Sequence, residues 1–361
     1  KMKWRPTSMG YYIEGEHFRW GDPVSLLRFP KLGLISKVRY GLQMFLSTKR
    51  SDWSKLETLS AKDWFIAWGG QKTYDVLWQR LFDLKFFEYA DNISAAWIWT
   101  RVKRVGTSRK SLLQEELGYI EGGSQTLVDA LLSEIEKRGG TLRLGEPVQE
   151  VTSANGRVTG VRTQRGIEAF DAVLSTIPTP FISATVPTLP EESKQAYDTI
   201  NNIGVVCVLL KLKRPVTEHF WLNINDTRID IPGIVEFSNL RSLEQTIVYV
   251  PYYMPTSHKK FERDDTATIN EAFGYLKLLN LELENDDLLG ARVGRLRYAQ
   301  PVCEPGFLKK IPPVVTPITG LQIADTCFYY PEDRGISESV RYGKLMAEAI
   351  ENPDVWAREG R

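Results

Sequence analysis

The chain has 361 residues, which is long for one small domain and suits two intertwined ones. Hydrophobic residues make up 42% and charged residues 25%, a balance that excludes global disorder. With 46 basic against 45 acidic residues the formal net charge is +1, so the one-sided field of a nucleic-acid binder is excluded too. The chain opens on Lys1-Met2-Lys3-Trp4-Arg5-Pro6, which reads as the middle of a strand, and the expectation is that the natural start lies upstream. The opening residues do not read as a signal peptide. Residues 11–20 read as a hairpin, two aromatic-rich runs around Glu14-Gly15. Residues 36–87 read as several helices, with Trp64, Trp68 and Trp78 at helical spacings. Core packing outweighs a substrate-facing role for these rings.

The stretch 122–176 is the most legible. Ser124 caps a helix whose apolar stripe is Leu127, Val128, Leu131 and Ile135. Gly139-Gly140 ends it as a left-handed C-terminal cap. Strands are expected over residues 141–144 and 148–152, the second joined by an Asn155-Gly156 turn to residues 157–163. Gly166 marks a further turn, and residues 170–176 form an apolar strand that stops at Pro178 and Pro180. From residue 188 to about 298 strands and helices alternate, with strands over 204–212 and 246–253 and a helix over 265–279. That is a second, mixed-sheet domain, and no repeat or linker separates the two. Near the C-terminus a short buried strand, 321–325, ends in Asp325, a loop containing Pro331 follows, and Gly335 opens a helix. Ile336, Val340, Gly343, Ala347 and Ile350 fall on one face of that helix.

Cys207, Cys303 and Cys327 are far apart and contain no CxxC pair, so zinc and dithiol chemistry are poor readings and a reducing, cytoplasmic setting fits. His17, His219 and His258 are equally scattered, and no metal site is expected. The longest apolar run, residues 203–210, is far below the ~20 residues a membrane-spanning helix needs. A strand ending in an acid, then a loop, then glycine at a helix start is a recurrent cofactor-holding arrangement. The carboxylate accepts from sugar hydroxyls, and the unpaired N–H groups of the first helical turn meet a phosphate or a polarised carbonyl. Taken alone, Asp325 as a turn acid and Gly335 as a turn glycine outweigh that reading.

Two runs of residues change the balance. The first is Gly122-Gly123, Leu127, Leu131, Gly139, Val148, Val151, Val158, Val161, Asp171, Val173 and Pro178, in that order. The second is Gly320-Leu321-Gln322-Ile323-Ala324-Asp325 followed by Pro331 and residues 335–343. Over residues 110–180 and 295–350 the chain resembles the flavin-containing amine oxidase superfamily, which includes protoporphyrinogen oxidases and phytoene desaturases. The resemblance implies an α/β (α+β) fold. A mixed sheet of the FAD/NAD(P)-binding type would stand with a second, substrate domain of mostly antiparallel sheet plus helices. It divides the chain into substrate-domain hairpin and helices (1–110), FAD-binding parts (111–180 and 301–361) and substrate domain (181–300). It implies FAD as cofactor, with Val148 meeting the adenine through its backbone and Thr176 and Pro178 lining the nucleotide side. Asp325 would bind the ribityl or pyrophosphate region, and Gly335, Ile336 and Ser337 would turn helix N–H groups toward the pyrophosphate and the ring carbonyl. The chain departs from the family pattern in Ala324, where glycine is common. It departs further in having no Gly-x-Gly-x-x-Gly unit after a strand, from which an N-terminal truncation that removes the βαβ segment is expected.

The resemblance implies a FAD-dependent oxidoreductase that takes a hydride from a C–N or C–C bond of a small organic substrate. No Ser-His-Asp or Cys-His arrangement is apparent, and no catalytic side chain is assigned. Tyr249, Tyr252 and Tyr253 on one expected strand, and Tyr329 and Tyr330 after Asp325, are candidate substrate-facing rings. Packing outweighs contact for the first group, Tyr253 included, and weighs evenly with it for the second pair. Lys85 and Arg109 are charge candidates that read first as solvated surface. The alternatives are a non-redox flavin mutase resembling UDP-galactopyranose mutase, and a non-catalytic binding module. A weak membrane-surface contact through the basic, aromatic helices before residue 110 is a further expectation, and the oligomeric state is not readable.

Overall fold

A computed structural model describes residues 1–107, 109–111, 114–352 and 354–358, the side chains of Ala357 and Arg358 excepted. In chain order the strands are β1 (Met2–Thr7), β2 (Met9–Ile13), β3 (Glu16–Trp20), β4 (Arg109–Ser111), β5 (Gln114–Ile120), β6 (Glu150–Ala154), β7 (Arg157–Thr163), β8 (Gly166–Ala169), β9 (Val173–Ser175), β10 (Asn202–Leu212), β11 (Trp221–Asn225), β12 (Gly233–Glu236), β13 (Thr246–Met254), β14 (Leu288–Pro301) and β15 (Leu321–Ile323). The helices are α1 (Pro23–Arg28), α2 (Leu34–Lys49), α3 (Ser54–Glu57), α4 (Ala61–Gly69), α5 (Gln71–Tyr74), α6 (Arg80–Phe86), α7 (Ala95–Thr107), α8 (Gln125–Lys137), α9 (Ile182–Thr185), α10 (Glu191–Asp198), α11 (Asp265–Leu279), α12 (Ile336–Glu351) and α13 (Val355–Arg358). The fold is mixed α/β. It divides into two compact units, Lys1–Leu131 with Ile203–Ala299, and Leu132–Asn202 with Gln300–Arg361.

The first unit is built on a seven-stranded sheet in the order β14-β10-β13-β12-β11-β2-β3. β11 runs parallel to β2, while β10–β13, β12–β13, β11–β12 and β2–β3 are antiparallel. The β2–β3 turn puts Glu14 at φ 52° and Gly15 at φ 87°, the two left-handed residues whose twist suits a two-residue hairpin. From Gly204 onward β10 keeps a period of two, and Val206, Val208, Leu210 and Leu212 are all buried. α11 is capped by Asp264, whose carboxylate accepts from Ala267 N at 3.1 Å, and sets Ala272, Phe273, Leu276 and Leu279 into the same core. Each such aliphatic or aromatic side chain contributes about 1.5–3 kcal/mol. The helices before residue 107 close over an aromatic cluster in which Phe65 stacks on Trp78 at 4.1 Å and Phe82 meets Phe86 edge-on at 5.5 Å. Trp64 is buried and Trp68 and Trp78 partly so, as core packing requires. A second, antiparallel sheet has the order β1-β5-β4.

The second unit carries the antiparallel meander β6-β7-β8 and the parallel pair β9–β15. Asn155 and Gly156, at φ 50° and 72°, make the β6–β7 turn that the sequence announced. Gly320 enters β15 at φ +87°, where a Cβ would lie 2.7 Å from the Asp171 carbonyl oxygen, so glycine alone fits. α12 is tied to β15 through buried Gln322, whose Nε2 donates to the Met346 carbonyl at 3.0 Å and whose Oε1 accepts from Trp356 Nε1 at 3.2 Å.

α8 ends as read. Gly140 N donates to Ile135 O and Gly139 N to Glu136 O, both at 2.9 Å, with Gly139 at φ +83°. Other expectations are corrected. Residues 141–144 form no strand, since no described strand pairs with them and a strand exists only through its partner. β6 begins at Glu150, two residues later than expected, and the apolar run 170–176 narrows to β9. The apolar stripe of α8 lies open, with Val128, Leu131 and Ile135 exposed. The five-residue face of α12 lies open as well, and the opposite side, with Tyr342, Met346 and Ala349, is buried. Among the described residues no helix is long and apolar enough to cross a membrane, and no group of three or more His, Cys, Asp or Glu could hold a metal ion. Cys207, Cys303 and Cys327 form no disulfide with one another.

Candidate cofactor site

β9 and β15 run parallel in the register Val173↔Leu321 to Ser175↔Ile323, and Ala324 N extends the pairing by donating to Ser175 O at 3.0 Å. Their carboxyl ends therefore open side by side, the position at which parallel sheets place ligands. Asp325 stands there with 9% of its surface exposed. Its Oδ2 accepts from Thr179 N and its Oδ1 from Cys327 N, each at 2.8 Å, so one carboxylate fastens the loops that follow both strands. Each oxygen keeps acceptor capacity beyond that single bond. Thr179 is fully buried, and its hydroxyl has no hydrogen-bond partner among the described residues. A hydroxyl left so in a folded interior invites a polar ligand atom.

α12 opens at Gly335, which supplies no side-chain cap. The N–H groups of its first turn, those of Ile336 and Ser337 among them, thus have neither an intrahelical nor a side-chain partner from the cap. Gly335, Ile336 and Ser337 are exposed. The loop before them is packed. Tyr330 is buried with its ring 5.3 Å from Phe307, and Tyr329 lies 4.8 Å from Tyr342 and donates to Ser339 Oγ at 3.2 Å. Val148 lies half exposed just before β6, and among the described residues nothing hydrogen-bonds its backbone. Thr176 and Pro178 occupy the segment between β9 and Thr179, on the same loop that Asp325 fastens.

In the first unit the strand β13 carries the other tyrosines. Tyr252 is buried, and burial pushes its phenol well above the ordinary range. Tyr249 is partly exposed and meets Phe237 edge-on at 6.1 Å. Tyr253 is half-buried with the Lys85 ammonium 5.0 Å from its ring centroid, so two candidates that are far apart in sequence come together. Arg109 donates from Nη2 to the Gly21 carbonyl.

Sequence reasoning missed Thr179, although it stands in the same Thr-Ile-Pro-Thr-Pro run as Thr176 and Pro178. Nothing local separates the two threonines, and only burial does. It missed Gln300 also, a fully buried amide whose Oε1 accepts from Arg334 Nη1 while its Nε2 has no partner among the described residues. Arg334 is the residue before Gly335, so a buried amide stands behind the entrance to α12. No motif marks Gln300.

A family model described as flavin containing amine oxidoreductase matches residues 15–289. No curated protein matches the chain. Among solved structures the chain is similar to a protein of Exiguobacterium sp. 255-15 proposed as a protoporphyrinogen oxidase, with 16% identity, 97% of this chain and 82% of that chain covered, and a TM-score of 0.70. It is similar to a putrescine oxidase redesigned in its cofactor binding, with 15% identity, 97% and 82% coverage and a TM-score of 0.66. A reduced UDP-galactopyranose mutase aligns at 14% identity over 86% of this chain and 68% of that chain, with a TM-score of 0.61. At these identities the likeness shows the fold alone.

Proposed function

The chain belongs to the flavin containing amine oxidoreductase family, and from that premise we propose that it takes a hydride from a C–N or C–C bond of a small organic substrate. At the level of the family it is an oxidoreductase whose cofactor is FAD. The observation that carries the reading is the family match over most of the chain, and the strand ends fit the cofactor. An unpaired, buried Thr179 hydroxyl beside a carboxylate with acceptor capacity suits sugar or ribityl hydroxyls, and an uncapped helix start suits a phosphate. When bound, FAD supplies the redox chemistry by accepting the hydride.

The residues divide the remaining work. Asp325 would hold the ribityl or pyrophosphate region while it fastens its two loops. Val148 would meet the adenine through its open backbone, and Thr176 and Pro178 would line the nucleotide side. Gly335, Ile336 and Ser337 would offer the first-turn N–H groups of α12 to the pyrophosphate and the ring carbonyl. The positive end of a 16-residue helix favours negative charge placed there. Tyr253 beside Lys85 would stand on the substrate side, where an aromatic wall excludes water. Tyr329 and Tyr330, packed as they are, would fix the loop that follows Asp325 and shape the substrate's surroundings. A reducing, cytoplasmic setting belongs to the same proposal.

One observation favours a second reading, a non-redox flavin mutase: the fold likeness to UDP-galactopyranose mutase. The test is anaerobic titration of the chain, after addition of FAD, with amines, with saturated C–C substrates and with sugar nucleotides. Bleaching of the visible flavin band by an amine or C–C substrate is the expected result. A band that persists while a sugar nucleotide isomerises moves the assignment to the mutase. No FAD retained by this chain or by one extended upstream with the βαβ segment overturns both and leaves a binding module.

A further inference from the structure

α2 is inside out. Its buried residues are Tyr40, Gln43 and Ser47, while Leu34, Ile35, Val38, Leu42, Phe45 and Leu46 are all exposed, Leu34 at 70% and Ile35 at 76%. At 100° per residue these six fall within one face. Val24 and Leu27 of α1 are exposed as well, and Lys37 Nζ binds the Leu27 carbonyl at 2.7 Å, which ties α1 to α2. The polar side of α2 is fixed inward. Gln43 Nε2 reaches Trp64 O at 3.5 Å, Ser47 Oγ donates to Gln43 O at 2.7 Å, and Trp99 Nε1 donates to Ser47 O at 2.9 Å. The helix cannot roll its apolar face inward without breaking its bonds to Trp64 and Trp99. A water-facing helix with this pattern is the reverse of a soluble one and marks an interaction surface.

The charges around the face name the partner. Residues 23–50 contain Arg28, Lys31, Lys37, Arg39, Lys49 and Arg50 and no Asp or Glu. Lys31 pairs with Glu14 and Glu16 from outside the segment. Among the described residues none of the other five is joined to an acid in an ion pair. Lys103, on α7, donates to the Arg50 carbonyl at 2.9 Å and adds a basic side chain at the same end of α2. A second copy docked here by two-fold symmetry would bring these like charges together with no acid from α1 or α2 to offset them. An anionic lipid headgroup layer meets both demands, since it takes apolar side chains below and basic ones at its surface. We propose that α1 and α2 dock the chain on an anionic bilayer surface. α2 lies in the interface, since sixteen residues span only about 24 Å and carry too many charges to cross.

The experiment is flotation of the full chain with vesicles of phosphatidylcholine containing about a third phosphatidylserine, beside pure phosphatidylcholine. The chain is expected to float with the anionic vesicles, and roughly several-fold less with neutral ones or in high salt. Ile35→Glu with Val38→Glu and Phe45→Glu should lower the floated fraction roughly tenfold with an unchanged circular dichroism spectrum. Ile35→Gln with Val38→Gln should move it in the same direction should the glutamates perturb the helix. A wild-type chain that stays with the unbound protein, or a variant that floats as well as wild type, overturns the proposal. So does a solution dimer, seen by sedimentation, that the glutamate variant dissolves, because the face would then belong to a second copy.

Discussion

β10 and α8 both carry clean apolar patterns, and the structure treats them oppositely. Val206, Val208, Leu210 and Leu212 on β10 are covered on one side by α11 and its neighbours, with essentially no surface left exposed. Leu131 and Ile135 on α8, with the same kind of periodicity, keep about half of theirs. α12 repeats the case in its five small and apolar residues. Periodicity decides which side of an element is apolar, a local property. Whether that side is covered depends on what the rest of the chain brings to it. By that measure the sheet of the first unit is closed, and the exposed face of α12 leaves the second unit open.

The comparison can be sharpened first at its closed end. Leu276→Ala, at a fully buried position of α11, should cost about 2–5 kcal/mol in urea unfolding, because methylenes are lost and the surrounding sheet cannot collapse into the gap. Asp325→Ala asks whether the open unit has a fixed point of its own. It would leave the Thr179 and Cys327 N–H groups unpaired in a buried place, at about 2–4 kcal/mol, and should abolish retention of FAD. Asp325→Asn keeps acceptors at one oxygen and should fall between wild type and the alanine variant in both readouts. If the alanine variant unfolds at the wild-type midpoint, the carboxylate does not fasten those loops.

A smaller effect, of opposite sign, comes from Glu236 in the closed unit. Its side chain is fully buried on β12, with Oε2 accepting from Val216 N at 3.1 Å and Thr217 N at 2.8 Å and Oε1 unpaired. Burial pushes its carboxyl up from 4.5 to about 7 against the two backbone bonds. A folded pKa above the unfolded one means that its contribution is complete below pH ~4.5 and is lost as the pH rises through ~7. Glu236→Gln keeps an acceptor for both N–H groups and carries no charge. It should be more stable than wild type above pH ~8, by up to about 3 kcal/mol, and no more stable near pH ~5. Equal urea midpoints for the two proteins at alkaline pH would show that the carboxylate is hydrated in place.

Much of this was legible. The Glu14-Gly15 and Asn155-Gly156 hairpins, the double-glycine end of α8 and the extent of α11 follow from backbone preferences carried by single residues. The line from β15 through Asp325 to the α12 start was legible because it is contiguous in sequence. Thr179, Gln300 and Glu236 were not, since an unpaired hydroxyl, amide or carboxyl is created by burial from distant chain. The inversion of α2 was hidden for a related reason, because a helical wheel shows an apolar face and is silent about which face meets protein.

The smallest expected effect is the one most able to break the comparison. Leu131→Ala removes an apolar side chain from a helix surface that nothing covers among the described residues, in a position where alanine is the better helix former. Its cost should be under about 0.5 kcal/mol, against several for Leu276→Ala, and Val340→Ala on α12 should behave alike. A loss above about 2 kcal/mol at Leu131 would mean a cavity had been opened, since exposed truncations do not reach that range. The α8 stripe would then be packed in solution, and the difference between β10 and α8 would lie in what covers them rather than in how they are built.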